Sequence, residues 1–124
     1  MTNETLQTIR SRRSCRAYEP RQITDAELDA VLEAGTYAAS AMGRQSAKIV
    51  VVQDAATRAQ LTRMNAAVMG ADSDPMYGAP TILVVLADAN SKHGVQDGSL
   101  VMGHLMLADA SLRLGSCWIY PAKE

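Results

Sequence analysis

The stretch DGSLVMGHLMLADASLRLG, residues 97–115, sets the architecture of this protein, because it predicts a helix that is apolar on nearly every side. The apolar side chains are Leu100, Val101, Met102, Leu105, Met106, Leu107, Leu112 and Leu114. We expect the helix to run from about 98 to 114, with Asp97 as its N-cap and Gly115 as the glycine that ends it. A helix without a polar face must be covered all round. In a domain this small, we expect a partner subunit to supply part of the cover.

Length and composition describe one folded domain. The chain has 124 residues, and we expect them to form a single domain over 1–124. Hydrophobic residues make up 48% and the net charge is −1, so we expect no general attraction for nucleic acid or membranes. The N-terminus lacks the apolar core of a signal peptide, and the apolar run 82–87 is far too short to span a bilayer. Two cysteines without a secretory signal favour free thiols and a cytoplasmic location.

Three segments have the composition of strands. KIVVVQD (48–54) is rich in β-branched residues and bounded by charge. TILVVLAD (81–88) has a continuous apolar run, which predicts a central strand buried on both faces. SCWIY (116–120) is expected to be the third strand. Because the long helix separates the second strand from the third, parallel pairing between them is favoured.

Helix-capping signals predict three further helices. The first is short and ends near Arg12 or Arg13. Thr24 begins the second, since Thr24 and Glu27 have the spacing of a capping box. Asp54 can cap the third, which follows the first strand. The order of elements is therefore α-α-β-α-β-α-β.

Several kinds of functional site have no support in the sequence. There is no glycine-rich dinucleotide fingerprint, no P-loop and no nucleophile elbow. His93 and His104 are eleven residues apart and neither cysteine lies at ligand spacing from them, so we predict no metal site. A low-pKa thiol at Cys15 is less favoured than a small apolar filler.

A local excess of arginine is the strongest chemical signal. Five of the 12 Lys and Arg residues lie between 10 and 21. Arg12, Arg13 and Arg16, with the Ser14 hydroxyl among them, could bind one phosphate, because arginine offers a rigid fork of donors. The alternative is a solvated basic turn. Nucleic acid is a poorer explanation, since Tyr18 is the only aromatic residue interleaved with the arginines.

Four segments together resemble the FMN-dependent nitroreductase family. They are IRSRRSCRAYEPRQIT (9–24), LEAGTYAASAMGRQSAK (32–48), DPMYGAPTILVVLAD (74–88) and DGSLVMGHLMLADASLRLGSCWI (97–119). The resemblance implies an α+β fold, with a sheet flanked by helices and the long helix buried in a homodimer interface. It also implies one FMN in each of two interface clefts. The implied activity is hydride transfer from NAD(P)H, through flavin N5, to a nitroaromatic, quinone or similar acceptor.

The resemblance assigns flavin contacts residue by residue. The phosphate and ribityl chain are held by Arg12, Arg13, Ser14 and Arg16. The segment that reaches the flavin from the second subunit contains Ala39, Ser40 and Ala41, followed by Gln45. Asn65 faces the edge of the ring system. The strand end along the ring near N5 comprises Trp118, Ile119, Tyr120 and Pro121. No side chain is assigned as a catalytic acid or base.

Two departures from the family bear on function. The family pattern A-P-S-x-x-N-x-Q-P-W-x-F loses both prolines, the asparagine, the tryptophan and the phenylalanine over 38–49, which changes the substrate pocket. Family domains also continue past Glu124, so we expect an incomplete domain, an exposed sheet edge and weaker flavin affinity. Two alternatives stay open: a flavin-binding protein without turnover, and an inactive truncated dimer whose arginines form only a solvated turn.

Overall fold

A computed structural model describes residues 1–120, which form an α+β arrangement of four helices and a small sheet. The elements in chain order are α1 (Glu4–Ser11), α2 (Asp25–Thr36), a short 3₁₀ turn (Ala41–Gly43), β1 (Lys48–Val52), α3 (Ala55–Met69), β2 (Ile82–Leu86) and α4 (Gly94–Ser111). The predicted fold class is confirmed. Among these residues, no helix combines the length and hydropathy that crossing a bilayer would need.

Side-chain caps fix the starts of α2 and α3 where the sequence predicts them. The Thr24 hydroxyl accepts the Glu27 amide at 3.1 Å, and a Glu27 carboxylate oxygen accepts the Thr24 amide at 2.9 Å. The backbone hydrogen bond to Thr24 lowers the pKa of the Glu27 carboxyl. At α3, Asp54 accepts the Thr57 amide at 2.9 Å. Both predicted caps are confirmed.

The sheet differs from the prediction. β1 and β2 pair antiparallel, with Lys48 opposite Leu86 and Val52 opposite Ile82. Within the described chain these are the sheet's two strands. The prediction that β2 is central and buried on both faces is therefore wrong, since its side chains are half-buried and Leu86 is exposed.

The prediction of a third strand at 116–120 is also wrong. The chain there makes one isolated parallel bridge, between Ser14 and Ser116, and the residues that follow have no strand pairing among residues 1–120. The expected parallel pair with β2 does not form, because this segment lies instead beside the chain that follows α1. Pro121 lies outside the described residues.

The boundaries of α4 are shifted from the prediction. It begins at Gly94 with His93 as N-cap, so Asp97 falls inside the first turns and does not cap. Gly94 is buried against the carbonyl of Asp88, close enough that a Cβ at this position would overlap the carbonyl oxygen. The predicted cap at Asp97 is wrong because the turn from β2 starts the helix one turn earlier.

The C-terminal end of α4 is a Schellman motif centred on Arg113 rather than on Gly115. Arg113 adopts φ 61°, its amide donates to the Ala110 carbonyl at 3.1 Å, and the Leu114 amide donates to the Asp109 carbonyl at 2.8 Å. Gly115 lies two residues later, where it leaves room for Cys15, whose Sγ would lie 2.7 Å from a Cβ there.

Arg113→Gly is expected to raise the free energy of unfolding by about 1 kcal/mol, because glycine adopts the left-handed conformation without the steric cost that arginine has. Urea denaturation measures the difference. Arg63→Gly, on exposed α3, is the control and should lower stability by about 1 kcal/mol, since glycine weakens an ordinary helical position. Destabilisation by both substitutions would contradict the assignment at Arg113.

The core lies between α2 and α4. Val31 and Leu105 are 1% and 2% exposed, and Gly35 lets the two helices approach closely, since a Cβ there would lie 2.8 Å from Leu105 Cδ2. Away from this contact α4 leaves Val95 and Leu100 exposed. These exposed apolar side chains agree with the prediction that α4 needs to be covered by more than its own chain supplies. A second subunit as that cover stays a prediction.

Candidate functional site

The arginine cluster, defined as Arg12, Arg13, Ser14 and Arg16, lies where α1 ends. Arg12 is the C-cap of α1, and the chain then continues extended toward Arg16. The bridge between Ser14 and Ser116 is reinforced by the Cys15 amide, which donates to the Ser116 carbonyl at 2.8 Å. The fold therefore brings the cluster beside 116–120, which is distant in sequence.

The positive charge of the cluster is not neutralised within residues 1–120. The one ion pair among these residues joins Arg21 Nε to Glu19 at 3.7 Å. The acidic residue closest in sequence to the cluster is therefore paired with an arginine outside it. Arg13 Nη1 donates to the carbonyls of Arg10 and Arg12 at 2.7 and 2.8 Å. The guanidinium groups of Arg12 and Arg16 have no such partner in that part of the chain.

A wide groove of about 890 Å³ begins beside the cluster. Its walls are mostly apolar and include the predicted residues Asn65, Trp118, Ile119 and Tyr120. Trp118 and Tyr120 form an edge-to-face pair with ring centroids 6.3 Å apart. The structure thus brings the predicted Asn65 and 118–120 to one groove, with the cluster adjoining it.

Asn65 lines this groove and carries an unsatisfied acceptor. It is 6% exposed, its Nδ2 donates to the Leu61 carbonyl at 2.9 Å, and its Oδ1 has no hydrogen-bond partner among the described residues. Buried polar atoms are normally paired. Asn65 Oδ1 is therefore suited to accept a hydrogen bond from a donor on a bound molecule.

The segment 39–46 lies at a different cavity. Ser40 and Gln45 line a space of about 410 Å³ between α2, β1 and α4, together with Asp97. Within one chain the structure does not bring Ser40 or Gln45 to the groove. Ala39 and Ala41 flank the same turn, whose contact with a flavin in a second subunit stays a prediction.

Two side chains that the motifs did not single out lie in the groove. Burial raises the pKa of the Asp109 carboxyl from 3.8 to about 7. Burial, with a smaller contribution from the thiols of Cys15 and Cys117, raises the pKa of Tyr18 to about 12. An acidic residue among the apolar residues of α4 is the sequence feature that could have singled out Asp109. That its carboxyl is shielded from water is seen only in the tertiary structure.

Asp109 makes stability depend on pH. Its folded pKa lies above the unfolded value, so the folded protein keeps a proton that the unfolded chain releases, and stability falls as pH rises from about 4 to 7. Asp109→Asn is expected to remove this loss and to gain about 2 kcal/mol over wild type at pH 8, allowing for partial solvent screening. Urea denaturation at pH 5 and pH 8 measures it.

The control is Asp29→Asn, which changes an exposed carboxyl of α2 and should follow the wild-type pH dependence. A wild-type stability that does not fall between pH 5 and pH 8 would contradict the buried acid.

The histidine of α4 does not line the groove. His104 uses Nδ1 in a 3.2 Å contact with the Leu100 carbonyl on its own helix. No group of three or more His, Cys, Asp or Glu side chains within residues 1–120 could hold a metal ion. The arrangement can bind an anion at the arginines and an extended apolar group beside them.

The chain is similar to proteins of the nitroreductase family. That family's model matches residues 9–72. A curated relative from Archaeoglobus fulgidus, with the provisional name NADH dehydrogenase/NAD(P)H nitroreductase, is 36% identical over 98% of this chain and 71% of its own length.

Two solved structures extend this similarity to the fold. A nitroreductase with bound FMN from Bacteroides fragilis has a TM-score of 0.89 and 32% identity, covering 97% of this chain and 71% of its own. Another with bound FMN, from Desulfitobacterium hafniense, has a TM-score of 0.81 and 28% identity, covering 90% and 67%. The chain therefore spans about 67–71% of the length of these relatives.

Proposed function

Because the chain belongs to the nitroreductase family, we propose that it is an FMN-dependent oxidoreductase that uses NAD(P)H to reduce nitroaromatic, quinone or similar acceptors. The observation that carries the proposal is the arginine cluster, which has no ion pair within residues 1–120 and whose chain neighbours Cys15 and Ala17 line a large apolar groove. A bound phosphate needs charge-assisted donors, and a flat ring system needs apolar walls. Both lie side by side in this chain.

The donors and acceptors present fit FMN. Arg12 and Arg16 have guanidinium groups available for a phosphate, and the exposed Ser14 hydroxyl lies between them in the chain. Asn65 Oδ1 is a buried acceptor without a donor, which a ring N–H could satisfy. FMN, when bound, supplies the hydride and electron chemistry that this set of side chains lacks.

The protein's own residues would bind, orient and exclude water. The arginine cluster would anchor one end of the cofactor, and Asn65 would fix the orientation of its ring. Trp118, Ile119 and Tyr120 would form the wall along the ring, with the backbone of this segment facing it. Their apolar surface limits the access of water, which strengthens every polar contact in the groove.

We further propose that the working protein is a homodimer. Ser40 and Gln45 lie away from their own chain's groove, so a second copy would have to bring them to the flavin. The exposed apolar residues of α4 offer a surface for that contact. Sedimentation velocity should give twice the monomer mass, and a monomeric protein with bound FMN would contradict this arrangement.

Visible absorbance of the purified protein tests the function. We expect FMN to bind, the flavin absorbance to bleach anaerobically on adding NADH or NADPH, and a quinone or nitroaromatic to restore it. Failure to bind added FMN would overturn the proposal. Binding without bleaching by either nucleotide would identify a flavin-binding protein without turnover.

A further inference from the structure

We propose that Asp97 is a positioning residue for the cofactor, since its buried carboxylate holds the segment 39–46 in the shape that presents Ser40 and Gln45. This inference rests on the proposed FMN function. It concerns a residue that the sequence suggested only as a helix cap, and which the structure places elsewhere.

Both carboxylate oxygens of Asp97 are used on this segment. Oδ1 accepts the Ala41 amide at 2.9 Å, and Oδ2 accepts the Ser46 hydroxyl at 3.2 Å. Asp97 is 3% exposed, so these hydrogen bonds are shielded from water. A buried carboxylate is tolerated only where such donors meet it, and hydrogen bonds to a charged oxygen are the stronger kind.

The segment needs an external support. Met42, Gly43 and Gln45 all have positive φ, at 55°, 65° and 49°, and such conformations persist in non-glycine residues only when the surroundings impose them. Among residues 1–120, Asp97 is the only side chain from outside 36–46 that hydrogen bonds to 39–46.

The other hydrogen bonds of the segment are local and leave its functional atoms free. The Gln45 amide donates to Ser40 Oγ at 2.9 Å, and Gln45 Nε2 donates to the Thr36 carbonyl at 2.8 Å. Ser40 therefore keeps its hydroxyl hydrogen and Gln45 keeps Oε1 for an outside partner. Asp97 contributes the anchor that fixes this turn to the rest of the fold.

The anchor itself lies on a closely packed part of α4. Asp97 is flanked on α4 by Gly94 and Gly98, both buried. Gly94 packs against the Asp88 backbone, and a Cβ at Gly98 would be in van der Waals contact with Val85 of β2. The backbone of α4 on either side of Asp97 thus packs against Asp88 and β2, while the carboxylate binds the segment.

Limited digestion with trypsin tests the support directly, because Arg44 lies exposed in the segment whereas Arg63 lies within α3. Asp97→Ala is expected to raise cleavage after Arg44 about tenfold relative to cleavage after Arg63, because it removes two hydrogen bonds. FMN affinity, measured by fluorescence titration, should fall about tenfold as the segment loses its shape.

Asp97→Asn provides the rescue. Its amide oxygen can still accept the Ala41 amide and its NH₂ can donate to Ser46, so both readouts should stay within about threefold of wild type. Ser46→Ala, which removes only one hydrogen bond, should give an intermediate cleavage rate and also serves if Asp97→Ala does not fold.

Three outcomes would count against the inference. Equal Arg44 to Arg63 cleavage ratios in wild type, Asp97→Ala and Ser46→Ala would overturn the support of the segment. Faster cleavage with unchanged FMN affinity would overturn its connection to the cofactor. Wild-type protein that binds no FMN would overturn the proposed function instead, and the cleavage ratios would still decide whether Asp97 holds the segment.

Discussion

Arg12→Ala is expected to weaken FMN binding about thirtyfold, or about 2 kcal/mol, which is typical for losing a hydrogen bond between charged groups. Arg12 is the C-cap of α1, beside the bridge that brings the cluster to the groove. Its guanidinium makes no hydrogen bond or ion pair within the described chain, so the substitution should act on the ligand rather than on the fold. Fluorescence titration measures the affinity, and thermal unfolding checks the fold.

The control for Arg12 must be an arginine with no structural contacts. Arg58 is unsuitable, because its Nε donates to the Gln53 carbonyl at 3.1 Å and its Nη1 to the Ala79 carbonyl at 3.3 Å. Arg63 is exposed on α3 and does not line the groove. Arg63→Ala should leave FMN affinity unchanged, and equal losses for Arg12 and Arg63 would mean that the cluster is not the phosphate site.

Gly94→Ala is expected to lower the free energy of unfolding by about 3 kcal/mol, near the upper end for overpacking a buried position. A Cβ at Gly94 would overlap the Asp88 carbonyl oxygen and lie 3.2 and 3.3 Å from the Asp88 carbonyl carbon and amide nitrogen. These are backbone atoms, so no side-chain rotation relieves the contact. The start of α4 would have to shift away from β2, and Asp97 would shift with it.

Gly98→Ala is the matched control on the same helix. Gly98 is also buried, but a Cβ there would meet Val85 and Ala87 at 3.7 and 3.8 Å, which is ordinary contact. Because alanine is the better helix former, stability should stay the same or rise by up to about 1 kcal/mol. Urea denaturation compares both variants, and equal losses would show that the close backbone contact at Gly94 is not what limits substitution.

Local signals in the sequence predicted the helices well. Thr24 and Asp54 carry their capping information within four residues, so neither depends on distant contacts. The long apolar stretch of α4 likewise predicted a helix whose apolar surface must be covered by other parts of the protein. The predicted ends of this helix differ from the observed ends by three or four residues. The arginine cluster was visible for the same reason, since its charge is concentrated in a short stretch.

Structural features that depend on residues distant in the sequence were predicted poorly. The composition of 116–120 suits a strand, yet its pairing was decided by the chain beside Ser14. Arg113 adopts a left-handed conformation that is unusual for arginine. Gly115, two positions later, was therefore wrongly predicted as the residue that ends the helix. Asp97 has the residue type and the sequence position of a helix N-cap. Because α4 begins at Gly94, Asp97 lies inside the helix, and its carboxylate hydrogen bonds to the segment 39–46 instead.

The sequence by itself determined the α+β class, the N-caps of α2 and α3, the family and the positive charge at the end of α1, because each is carried by residues close together in the chain. Only the tertiary structure decided that this charge lies beside 116–120, that the buried Asn65 and the half-buried Asp109 line one groove, and that Asp97 anchors the turn of Ser40 and Gln45. Burial and hydrogen-bond partners arise between segments tens of residues apart, and no local pattern specifies them.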